Sequence, residues 1–195
     1  SIDISVFYYE QHGPKEQLAR AYYYKACILF FNRNNVTAAI KLLKRAENTA
    51  KGHGGLALMH KIFSTLSYVN LTTKNYNTAL NYAEKARGMA TRANNDLWMA
   101  YSLSYIANAY SGLGVPDSNL NYLLKALKLY KHLDTESQTV LLANISDVYS
   151  QKGDTVKSAK FILRALKERP DSYTYTILTD LYIRQGQYQK AFDLL

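Results

Sequence analysis

Large apolar residues recur three and four positions apart along this chain, in runs a few helical turns long that are separated by short polar turns. Leu142, Ile145 and Tyr149 share one helical face with the small Ser146 between them, as a single buried stripe requires. A turn at Gly153-Asp154 follows, and Ser158-Ala159, Ile162 and Ala165-Leu166 repeat the spacing as far as Pro170. Neither stripe can be hidden by its own helix, so the two helices are predicted to pack on each other and on further pairs. Tyr23, Ala26, Cys27 and Phe30 precede Ala39, Leu43 and Ala46 in the same way. Phe63, Leu66, Ser67 and Asn70 precede Tyr76, Ala79, Ala83 and Ala86, and Leu103, Ile106, Ala107 and Tyr110 precede Leu120, Leu123 and Ala126. The last pair holds Tyr175, Leu178, Thr179 and Tyr182, then Tyr188, Ala191 and Leu195.

The period is long. Ala46, Ala86, Ala126 and Ala165 stand 40, 40 and 39 residues apart, and Tyr149 to Tyr182 is a step of 33. These spacings, the small residues between large ones and the closing Pro170 resemble the tetratricopeptide repeat (TPR), whose pattern is W-x2-L-G-x2-Y, then A-x3-F and a proline. A common repeat has 34 residues, so the first three units resemble the long-repeat arrays of bacterial regulatory and sensor proteins and of some eukaryotic scaffold adaptors. The resemblance implies an all-α, right-handed superhelical solenoid of antiparallel helix pairs forming one array over 1–195. Its units are expected at 14–53, 54–93, 94–133 and 134–170. Residues 1–13 are expected to be the second helix of a truncated unit, and 171–195 a partial fifth unit. The chain starts without methionine and inside a helical pattern, so it is read as a segment of a longer protein. Four departures from the pattern stand out: Asn70 in an aromatic position, Asn119 in an alanine position, and Asn34 and Lys74 at turns often held by glycine.

Composition changes this picture little. A net charge of +9 could attract nucleic acid, anionic membrane or acidic peptides. Lys41, Lys44, Arg45, Lys85, Arg87, Lys125, Lys128, Lys131, Lys157, Lys160 and Arg164 are assigned to second helices, the outer side in the family's geometry. A solvated outer face explains them, with a phosphate-binding stripe as the alternative. The one cysteine, Cys27, excludes an internal disulfide and is read as a small buried residue at a helix contact. No run of about 18 apolar residues is present to span a membrane.

Catalytic chemistry finds no constellation. His12, His53, His60 and His132 fall in different units without ligand spacing on a helix face, so neither metal nor any other cofactor is expected. Gly52-His53-Gly54-Gly55 lacks the preceding strand and serine elbow of an oxyanion loop and is read as a helix connection. Phosphate-cradling glycine motifs do not occur. Asn35-Val-Thr37, Asn70-Leu-Thr72 and Asn144-Ile-Ser146 match the glycosylation triplet, the last inside a packed helix.

The family binds partners on its first helices. Carried over by register, the groove residues are Tyr24 and Ile28, then Lys61, Ser64 and Tyr68, then Tyr101, Ser104 and Asn108. Val140, Ala143 and Asp147 follow, and Tyr173, Thr176 and Asp180 complete the set. Tyrosine supplies contact area and a hydroxyl at small entropic cost, which suits peptide recognition. The lysine and asparagine pairs that grip a C-terminal carboxylate in co-chaperones are absent, because Tyr24 and Ile28 occupy their first positions. The expectation is a non-catalytic scaffold that binds a peptide or helix of a protein partner, without a small-molecule substrate. Nucleic acid on the outer face is the alternative. End-to-end association through Ile2, Val6 and Phe7 or through Ala191, Phe192 and Leu195 is a further expectation.

Overall fold

Each apolar run becomes a helix because its ends carry the residues that stop one. In the computed structural model, which describes residues 2–132 and 134–194 (backbone alone at Tyr130), eleven α-helices and one 3-10 turn are seen among the described residues. They are α1 (Ile2–His12), α2 (Lys15–Phe31), α3 (Val36–Ala50), α4 (Leu56–Thr72), α5 (Tyr76–Arg92) and α6 (Asp96–Gly112). Then come α7 (Pro116–Leu127), the 3-10 turn Tyr130–His132, α8 (Thr135–Gln151), α9 (Thr155–Glu168), α10 (Ser172–Arg184) and α11 (Tyr188–Phe192). Asn34, Lys74, Gly114, Gly153 and Gly186 all follow the first helix of a pair with positive φ, from +48° to +78°. That left-handed residue closes a helix without strain only when it is glycine. The residue after it often starts the next helix: Asn35 and Asp154 accept backbone N–H bonds from Ala38 and Lys157.

Successive helices pack as antiparallel pairs, α2 on α3, α4 on α5, α6 on α7 and α8 on α9. Second helices link each pair to the next, and first helices form their own layer, with α4 touching α2 and α6, and α8 touching α10. The core runs along the seam between the two layers through Leu43, Leu66, Ile106, Leu123, Ile145 and Ile162, all fully buried. A solenoid of this kind is stabilised unit by unit, each pair burying its stripe against its neighbours.

Several expectations need correcting. Cys27 is half-buried and Ala26 takes full burial beside it. Asn70 is buried and donates from Nδ2 to the Leu66 carbonyl at 2.7 Å. Helix α7 ends at Leu127, so Lys128 lies past its end and Lys131 sits in the 3-10 turn rather than on a second helix. Of the expected exposed end stripes, Val6 and Ala191 are buried while Phe7 and Phe192 are exposed, and Leu195 lies outside the described residues.

Candidate functional site

First helices touch least at the step from α6 to α8. Helix α7 is short, the chain makes a 3-10 turn before α8, and α6 and α8 touch far less than α4 and α6 do. A cavity of about 940 Å³ opens there, on the face of the first helices. Tyr68, Tyr76, Tyr101 and Tyr105 supply its aromatic wall, and Ser104, Asn108 and Asn144 its polar one. Asp134 and Glu136 line it as well, with no lysine or arginine among the described residues of the lining, on a chain of net charge +9. Gly112 leaves room at the rim for the Tyr76 ring, which a Cβ there would force to shift.

Hydrogen bonds fix the polar groups. Tyr101 Oη donates to Asp134 Oδ2 at 2.6 Å, and the Ser137 backbone N–H donates to Asp134 Oδ1 at 2.8 Å. These donors, Tyr101 foremost, hold the Asp134 carboxyl below the usual carboxylate range. Tyr173 Oη donates to Asn144 Oδ1 at 3.0 Å, and Asn144 Nδ2 reaches Asn108 Oδ1 at 3.4 Å. Asn108 Nδ2 keeps both its N–H groups without a partner among the described residues. Burial pushes the Tyr105 hydroxyl up to about 12, so it stays a neutral donor.

The residues assigned to the groove by register divide into three places. Tyr68, Tyr101, Ser104, Asn108 and Val140 line the large cavity, which Tyr173 joins through Asn144. Lys61 and Ser64 line an adjoining cavity of about 290 Å³ together with Tyr23, His60, Thr65, Leu97, Trp98, Tyr101 and Tyr105. Thr176 and Asp180 line a third, at α10, where Asp180 pairs with Arg184 at 2.6 Å. Tyr24 and Ile28 are exposed at the N-terminal end, next to Phe31, whose ring stacks on Tyr68. Asp147 is half-buried, bonded by Gln151, and burial pushes its carboxyl up. Ala143 is fully buried and forms no part of the groove. Register missed Tyr76, Tyr105, Asp134 and Asn144. Tyr105 and Asn144 sit one residue after Ser104 and Ala143, and a groove face one column wider would have included them.

Cations on the outer face are partly engaged. Arg45 pairs with Glu10 at 2.8 Å and bonds the Tyr22 hydroxyl, and Lys85 reaches Glu47 at 3.5 Å while lying over the Tyr82 ring. Lys125 lies over Tyr122, and Lys157 pairs with Asp154 at 2.7 Å. The Arg45 and Lys85 contacts tie helix to helix, while the Lys125–Tyr122 and Lys157–Asp154 contacts stay within α7 and within α9 and its cap.

Residues 99–133 match the tetratricopeptide repeat family. No curated protein matches the sequence. Among solved structures, the BtubC protein of P. vanneervenii is similar over 100% of this chain and 85% of its own, with a TM-score of 0.80 and 19% identity. A kinesin light chain from Podosopora anserina, described as having nearly identical TPR-like repeats, is similar over 92% of each chain, with a TM-score of 0.70 and 16% identity. A Rap protein complexed with competence and sporulation factor is similar over 99% of this chain and 55% of its own, with a TM-score of 0.78 and 16% identity. The chain has the fold of a tetratricopeptide-repeat solenoid. In this TPR-like array α2, α4, α6, α8 and α10 are the first helices of their pairs, and the large cavity lies between two of them. No helix among the described residues of the array is long and apolar enough to cross a membrane.

Proposed function

We propose that this TPR array is a non-catalytic scaffold whose inner groove binds an extended peptide segment of a protein partner. The observation that carries the reading is the cavity between α6 and α8, where four tyrosines face a paired Asn108 and Asn144. A side-chain amide offers a donor and an acceptor in the geometry of a peptide group, so it can bond an extended backbone without reading its sequence. Tyrosine walls add contact area at small entropic cost. The complex of a Rap protein with its factor, in a similar fold, is in keeping with such a role. A regulatory or sensing duty within a larger bacterial protein is the setting we infer from the long repeats.

The test is capture of a partner from native lysate at high salt, by the intact array and by Tyr68→Ala/Tyr101→Ala and Asn108→Ala/Asn144→Ala variants. A discrete protein that is retained at high salt and lost by both variants supports the reading. Equal capture by all three proteins would sink it. The alternative, nucleic acid on the outer face, receives less support because Arg45, Lys85, Lys125 and Lys157 are already engaged. Its signature would be affinity falling by powers of ten between low and moderate salt.

A further inference from the structure

His60 is a buried histidine with one nitrogen used and one left over. It is 5% exposed on α4 and stacks on Trp98 of α6, ring centroids 4.8 Å apart and planes 15° apart. Its Nε2 lies 3.3 Å from the Trp98 carbonyl oxygen, which can only accept, so Nε2 carries the proton and donates. Ser102 Oγ, also 3.3 Å from Nε2, spends its own hydrogen on the same carbonyl at 2.8 Å. With Nε2 protonated, Nδ1 is a lone-pair acceptor, and it has no hydrogen-bond partner among the described residues.

The ring belongs to the wall of the 290 Å³ cavity, whose other walls are Tyr23, Trp98, Tyr101 and Tyr105. Tyr101 and Tyr105 also line the large cavity, so the two spaces share a wall and a chain lying in one can drop a side chain into the other. The guest is selected by three features. Four flat rings and Leu97 favour an aromatic group, by edge-to-face or offset stacking. The Nδ1 lone pair favours a guest that donates a hydrogen bond. Lys61 at the edge, with no carboxylate among the described lining residues, opposes lysine and arginine.

We propose that the cavity between α4 and α6 is an anchor pocket for an aromatic hydrogen-bond donor, a tyrosine or tryptophan side chain, received by His60. The proposal deepens the peptide-groove reading and rests on it for the source of the guest, while the pocket's chemistry can be tested alone.

Trp98 is the sole tryptophan of the sequence and forms part of the pocket wall, so its indole N–H signal in NMR spectra reports occupancy. The chain is titrated with N-acetyl-tyrosinamide, N-acetyl-phenylalaninamide and N-acetyl-lysinamide. The tyrosine amide should shift that signal saturably. The phenylalanine amide should bind about fivefold more weakly, the loss of one hydrogen bond, and the lysine amide should not bind. His60→Phe keeps a ring to stack on Trp98 and removes the acceptor, so it should erase the tyrosine preference. Equal affinity for tyrosine and phenylalanine amides in the unsubstituted chain, or no saturable shift, overturns the proposal whether or not the variant folds. Saturable tyrosine binding in a chain that captures no partner would leave the pocket standing and remove the peptide-groove reading instead.

Discussion

Ser146 Oγ donates to the backbone carbonyl of Ser158 at 2.8 Å, joining the two helices of one pair at a point where both side chains are fully buried. Two units earlier Ser67 does the same to the Ala79 carbonyl at 2.9 Å. The small residues that let the helices approach also carry a polar link between them, and in the later pair the Ser158 hydroxyl lies 3.0 Å from Ser146 Oγ as well. Ser146→Ala removes a buried donor and leaves the Ser158 carbonyl its own helical bond, so the loss should be about 1 kcal/mol. Thermal unfolding followed by circular dichroism should show a midpoint lower by roughly 2–4 °C. An unchanged midpoint would mean that the bond adds nothing beyond close packing.

Asn119 occupies the register of Ala39, Ala79 and Ser158, in a unit whose first helix carries Ala107 at the position of Ser67 and Ser146, and is 6% exposed. Its Oδ1 is buried without a hydrogen-bond partner among the described residues. An unmet buried acceptor is destabilising by about 1–3 kcal/mol, which a small cavity left by truncation only partly offsets. Asn119→Ala should therefore hold or raise the urea midpoint, where most core truncations lower it. A drop of several degrees in thermal melting would show that Asn119 has a partner.

The turn residues show how far the sequence carries the fold. Periodicity located both helices of each pair, because a stripe every third or fourth residue is dictated by the need to bury it. Asn34 and Lys74 were legible as substitutes for glycine, and the backbone at both is left-handed all the same. The groove was read less completely. Register placed Tyr68, Tyr101, Ser104 and Asn108 together, but the space they line depends on the early end of α7 and the turn at Tyr130–His132. Lys125, Lys128 and Lys131 keep a helical spacing through that break, so the pattern alone gave no sign of it. Asn144 looked like part of a packed helix because Ile145 and Ser146 beside it are buried, yet its own side chain meets Asn108 and Tyr173.

Lys74 has φ of +60°, where Gly114, Gly153 and Gly186 sit in the later units. A left-handed conformation strains any side chain with a Cβ by about 1–2 kcal/mol, and the extra freedom of glycine in the unfolded chain returns part of that. Lys74→Gly should stabilise by about 0.5–1 kcal/mol, and Gly153→Ala should destabilise by a similar amount. Chemical denaturation of the two variants checks both signs at once. A destabilised Lys74→Gly would show that the lysine side chain contributes more than its backbone strain removes.

His60 links stability to pH. Burial in a pocket with no lining carboxylate holds its pKa below the usual 6.5, the Trp98 carbonyl opposing this only partly. Lys61, Tyr23, Tyr101 and Tyr105 are the other titratable groups around it, and none of them carries negative charge near neutral pH. As pH falls, the unfolded chain takes up the histidine proton first, so stability fully present above pH 6.5 is lost as pH falls through the lower, folded value. Urea midpoints measured at pH 7.5 and pH 5 should differ more in the unsubstituted chain than in His60→Phe. His12, His53 and His132 are common to both proteins and cancel in that comparison. Trp98 emission should change over the same range, because a charged imidazolium stacked on an indole is a quencher and a neutral one far less so. Its midpoint should lie below 6.5. A midpoint at or above 6.5, or a pH response identical in the two proteins, would mean that His60 is solvated enough to charge freely, and its Nδ1 would then be a donor with nothing to offer a phenol as acceptor.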